Sequence, residues 1–154
     1  MADRHLLVGA LATACAVLLG GCGSSVAGTA RPLRITEVER DQVSGYFTRL
    51  NEAGGRGNPE QRKLFQDTQH PDFRSRTCEL RAGTLRMEPA MSTLRTDPDW
   101  EPPGGDTHPR GVVYVVAATV TLLEDDAPVG VQIGSLHVVL LDGAPYGFAP
   151  CVGG

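Results

Sequence analysis

The sequence predicts an α+β domain in which N-terminal helices pack on one face of a curved antiparallel sheet. Two observations carry this expectation. The segments "GVVYVVAATVTLL" and "VGVQIGSLHVVLL" are long, rich in β-branched residues and free of helix caps. Ahead of them, between Thr36 and Phe65, apolar residues recur at helical spacing behind two N-terminal capping signals. Helices gathered in one half of a chain and strands in the other fit an α+β layer architecture.

The first helix is expected over 36–53. Thr36 and Glu39 have capping-box spacing, Val43, Tyr46, Phe47 and Leu50 form one apolar stripe, and Gly54-Gly55 should stop it. A second helix follows, with Asn58 as cap, Pro59 at the first helical position, Gln61 completing the box and Leu64 and Phe65 buried. His70-Pro71 should end it. From Pro71 to Trp100 the pattern is ambiguous: "PDFRSRTCEL" reads as a third short helix, and the stretch after it as one or two interrupted strands. The proline- and glycine-rich "DPDWEPPGGDTHPRG" is a long loop.

The two long segments read as neighbouring antiparallel strands joined by the acidic turn "EDDAP". After Asp142-Gly143, "APYGFAPCV" supplies an edge strand whose prolines keep it off the sheet centre. Alternation in the second long strand sets Val131, Ile133, Ser135, His137, Val139 and Leu141 on one face, expected to lie under the helices, and Gln132, Gly134, Leu136, Val138 and Leu140 on the other.

The N-terminus carries an address. A weak basic region with Arg4 leads into an apolar run from Leu6 to Leu19, too short to span a bilayer and consistent with a secretory signal over 1–21. Leu19-Gly20-Gly21-Cys22 resembles the bacterial lipobox. In that family the cysteine is acylated and the signal is cut before it, which implies lipidation at Cys22, a protein held on the outer face of the bacterial cell membrane, and a partner in the membrane itself; an ordinary cleaved signal peptide is the alternative. The small, polar residues 22–32 read as a tether, holding a single domain over 33–154 roughly 15 to 20 Å from the surface. With Cys15 lost and Cys22 lipidated, Cys78 and Cys151 remain as a pair in an oxidising compartment. A disulfide between them would stabilise by roughly 4 kcal/mol on the chain-entropy account; two separate thiols are the alternative.

The order of elements and the pair of long strands resemble the NTF2-like or cystatin-like cone fold of secreted and lipid-anchored actinobacterial proteins, over about 33–152. The resemblance implies a pocket between sheet and long helix. That fold hosts enzymes, ligand carriers and interaction modules, so it assigns no function.

Chemistry is sparse. The net charge of -4, with no basic face, argues against nucleic acid as a partner. Ser135 and His137 share a strand face, with Asp142 nearby, but two positions along a strand set their bases about 7 Å apart, too far for a nucleophile and its base. His70, Asp72, Asp106 and His108, with Asp97 and Asp99, are ligand-type side chains without a specific metal spacing, and read more simply as turn residues. No phosphate loop and no cofactor motif is present. Trp100, Tyr114, His137 and Tyr146 are the polar aromatics best suited to line a pocket, packing being their alternative use. The expectation is a non-enzymatic envelope lipoprotein with no catalytic or metal residues, binding an envelope protein or a small apolar ligand. The alternative is an NTF2-like pocket enzyme with His137 as acid or base.

Overall fold

The structure, a computed structural model, describes residues 34–75, 80, 82–103 and 107–148. Cys22, Cys78 and Cys151, on which the lipidation and disulfide expectations fall, lie outside them, as does Asp106.

Helix α1 spans Glu37–Arg56 and opens on the expected box: the Thr36 hydroxyl accepts from the Glu39 N–H while the Glu39 carboxylate accepts from the Thr36 N–H. It runs through the expected stop at Gly54-Gly55. Termination comes at Gly57, whose φ of +120 favours glycine. Gly54 serves a close approach instead, since a Cβ there would stand 2.7 Å from the Gln61 side chain. Helix α2 spans Asn58–Asp67, with Gly57, not Asn58, at its N-cap. Asn58 turns its amide to the Gly83 carbonyl. Gln61 closes no box either. It is buried, and it donates to the carbonyls of Leu50 and Leu85 while accepting from the Leu85 N–H.

Among the described residues five strands form one antiparallel sheet: β1 (Thr84–Pro89), β2 (Arg95–Thr96), β3 (Val112–Glu124), β4 (Ala127–Leu141) and β5 (Ala144–Gly147). The order is β1-β3-β4-β5, with β2 also on β3. The ambiguous region thus holds a strand broken by a short turn at Met91–Thr93, both pieces pairing with β3, and its first part is only a single 3-10 turn at Pro71–Phe73. Two tight hairpins link successive strands, one from β3 to β4 and one from β4 to β5. Asp142 and Gly143 have φ of 52 and 77, and Asp125 and Asp126 have 48 and 63, the left-handed pair that two-residue hairpins need.

The helices pack on one face of this curved sheet. Val43, Tyr46, Phe47 and Leu50 of α1 and Phe65 of α2 share a core with Leu85, Met87, Tyr114, Val116, Val138 and Leu140, and Leu136 packs against it. The expected face of β4 is therefore reversed: Leu136, Val138 and Leu140 lie under the helices, and Val131, Ile133, Ser135, His137 and Val139 face away. Alternation could not choose, because both faces of this strand are largely apolar. Pairing settles it, since Val138 stands opposite Tyr114 and Leu136 opposite Val116, the β3 residues that meet α1. Gly147 takes the same face, where Tyr46 lies so close that no Cβ fits. Tyr46 is buried, which pushes its phenol up to about 12.

Candidate functional site

The face away from the helices carries its own aromatic layer. His137, opposite Val115 on β3, points into it, and the Trp100 ring lies flat on the imidazole at 4.1 Å and 13°. Trp100 in turn meets Phe148 edge-on at 4.6 Å, and Phe148 stacks on His70 at 5.7 Å. Phe73 and Tyr146 complete the group around His70, at 5.5 and 6.0 Å. Loop residues after Asp97, the turn after α2 and the residue after β5 thus meet over the end of β3 and β4, and Val113, Val115 and Val139 are buried on that face of the sheet.

Two histidines are fixed in this layer by different partners. His137 donates from Nε2 to the Asp97 carboxylate at 3.0 Å. Burial lowers the imidazole below its ordinary value of 6.5, outweighing the opposing pull of Asp97. His70 is fully buried. Its Nε2 donates to the Arg110 carbonyl at 2.9 Å and its Nδ1 accepts from the Asp72 N–H, so both ring nitrogens are used. Asp72 forms a two-pronged pair with Arg110, whose guanidinium holds the carboxyl below the usual range.

Of the four residues nominated for a pocket, Trp100 and His137 stack, and Tyr146 stands on the same face, opposite Val139. Tyr114 does not belong with them. It lies on the helix face and is buried, bonded to the Glu39 carboxylate, which together with burial raises its phenol. No single pocket can hold all four. The space between helices and sheet, where the cone resemblance places a pocket, is filled by side chains such as Val43, Leu50, Leu85, Tyr114 and Val116, all 2% exposed or less. A polar hollow of about 550 Å³ lies elsewhere, between the α1–α2 junction and the β3–β4 turn, lined by Gly57, Asn58, Thr84, Glu124 and Asp126 among others.

The ligand-type side chains also go separate ways. Asp72 is taken by Arg110, Asp97 by His137, and His108 by Glu101 at 3.4 Å. Among the described residues no three His, Cys, Asp or Glu side chains gather where they could hold a metal. Ser135 is exposed on the His137 face, and no hydrogen bond joins the two.

The second notable feature is apolar and open. Val129, Val131 and Ile133 of β4 are 53%, 66% and 80% exposed, on a sheet whose other apolar residues are mostly covered. Among the described residues β4 is an edge here, because β5 pairs only with Val138 to Leu141. The sequence shows that both faces of this strand are apolar but not the open edge, which depends on where β5 ends.

No protein family matches this chain, and no curated protein or solved structure matches it. The class of protein the fold defines is an α+β domain with two helices on one curved antiparallel sheet.

Proposed function

We propose that this is a lipid-anchored cell-envelope protein that acts by binding another protein, not by catalysis, through the exposed part of β4. One observation carries the reading: Val129, Val131 and Ile133 form an exposed apolar stripe on a strand edge that no described residue pairs with, the kind of surface a folded domain covers unless it meets a partner. The filled space between helices and sheet favours a protein over a small apolar ligand. The mild negative charge leaves nucleic acid without an attractive surface. In this proposal Cys22 bears the lipid and 22–32 is the tether. Cys78 and Cys151 form a disulfide. The helix-on-curved-sheet arrangement supports kinship with the NTF2-like cone.

The test is a photo-crosslinking residue at position 133 in the protein as made in a bacterial envelope, with one at Glu60 on exposed α2 as control. A protein adduct from 133 and none from 60 is the expected result; equal yields from both would overturn the docking reading. Cys22→Ser should remove the protein from the membrane fraction, and a variant that stays processed and membrane-bound would overturn the anchor.

A second reading has one observation behind it. The Asp97–His137 pair resembles an oriented general base, which would suit an NTF2-like enzyme using His137 as acid or base. Trp100 covers the imidazole face, so such a site would need the loop to move. A folded His137→Gln protein that loses a turnover the native protein shows would establish it.

A further inference from the structure

Among the described residues β1, β5 and part of β4 each have a stretch of edge whose backbone groups lack a strand neighbour, and the molecule closes the first two. On β1 the closure is made by side-chain amides. Asn51 donates to the Met87 carbonyl and accepts from its N–H, and Gln61 does the same for Leu85, so two helix residues bond to β1 as a strand would. On β5 the chain after α2 does it: Gln69 bridges Gly147 in parallel, the His70 N–H reaches the Gly147 carbonyl and the Gly147 N–H reaches the Thr68 carbonyl. The third stretch, on β4 between the turn and the end of β5, has no such cover among the described residues.

Its backbone is directed outward in a definite pattern. The two-residue turn at Asp142-Gly143 makes Leu141 and Ala144 a bonded pair, so the odd-numbered β4 residues address the β5 side. Beyond the end of β5 these are Val131, Ile133, Ser135 and His137. No charged residue occurs from Ala127 to Leu136, although a lysine or glutamate is the usual way to keep such an edge single. The helix side of this stretch is bare as well, since Gly130, Gln132 and Gly134 are exposed and nothing stands within 4 Å of a Cβ at Gly134.

We propose, resting on the docking reading above, that the occupant of this edge is a second copy of the chain, pairing β4 antiparallel with β4 about a two-fold axis near Gln132. The axis follows from the open interval 127–137, whose midpoint is 132. A strand paired with itself sets each residue against its mirror, so any charge within it meets a like charge or an apolar residue; this neutral, β-branched stretch meets no such penalty. Val131 then faces Ile133 of the partner subunit, which covers the two most exposed apolar residues of β4. The absence of helices above Gly130 and Gly134 leaves room for the two helix layers side by side. The outer edges of β1 and β5 are closed and β2 is only two residues long, so no second edge of this length is offered and pairing ends at two.

The experiment is sedimentation of the full chain in detergent, native against Ile133→Lys and Ser135→Pro, with circular dichroism to verify folding. Ile133 is exposed, and Ser135 directs its N–H outward, so neither change removes a core contact or a bond to β3. A native dimer that both variants weaken by roughly tenfold or more supports the proposal. A second variant, Gln132→Cys, should cross-link to itself on oxidation where the native chain does not. A native protein that stays monomeric, or a dimer indifferent to both edge variants, overturns it. The crosslinking at position 133 separates the two readings: an adduct with a different protein retires self-pairing and keeps docking, whereas no adduct retires both.

Discussion

Trp100 lies flat against His137 at 4.1 Å while Asp97 holds the imidazole Nε2 at 3.0 Å. Trp100 is the single tryptophan of the chain, so its emission reports on its own surroundings, in which the stacked imidazole is that of His137. A protonated imidazole against an indole quenches it by electron transfer. The fluorescence should therefore fall on acidification with a midpoint below 6.5, and His137→Gln should abolish the titration. A midpoint above 6.5 would mean that Asp97 outweighs burial.

The same lowering makes a statement about stability. The folded protein holds the His137 proton less tightly than the unfolded chain does, so between the two values the unfolded state binds more protons. The contribution is fully present above 6.5 and is lost as pH falls through the folded value. The denaturation midpoint should drop between neutral pH and mild acid, and His137→Gln should flatten that part of the profile.

Gln61→Leu should be among the most damaging single changes in the domain. It keeps the volume but strands the Leu85 N–H and carbonyl in a fully buried place, and removes a second bond to the Leu50 carbonyl. We expect a loss of roughly 2 to 4 kcal/mol, read as a shift in denaturant midpoint at unchanged slope. Gln61→Glu, of the same shape, should also fail, because a carboxylate cannot donate.

Asp126→Gly should stabilise. Asp125 and Asp126 both take left-handed φ in the β3–β4 turn, where an aspartate-glycine pair fits best. The gain should be about 0.5 kcal/mol, seen as a small rise in melting temperature.

Much of this arrangement was legible in the residues. Thr36 with Glu39, the α1 stripe and the two β-branched runs placed the helices and long strands because local spacing and capping determine them. The reversed face of β4 was not legible, since Val131 to Leu141 is apolar on both sides and only pairing with Tyr114 and Val116 decides it. Tyr114 was grouped with Trp100 and His137 for its chemistry, yet neighbouring positions on β3 point to opposite sides of a sheet. Phe148, which joins Trp100 to His70, gave no signal, because the contact spans most of the domain. Asn51 and Gln61 read as ordinary helix polar residues until β1 is laid beside them.

Those two amides act as a ruler. Asn51 and Gln61 meet Met87 and Leu85, two positions apart on a strand of six residues that ends in proline, too short to fix its own alignment by pattern alone. Alternation excludes a slip by one residue, which would turn Arg86 and Glu88 into the core, but not a slip by two, which would set Asn51 against Pro89, a residue with no N–H to give. The alignment of β1 is thus written in the spacing of the α1–α2 hairpin, and the strand should be the last to lock when the chain folds. In hydrogen exchange, the amides of Leu85 and Met87 should open together with those of the helices, and not with β3.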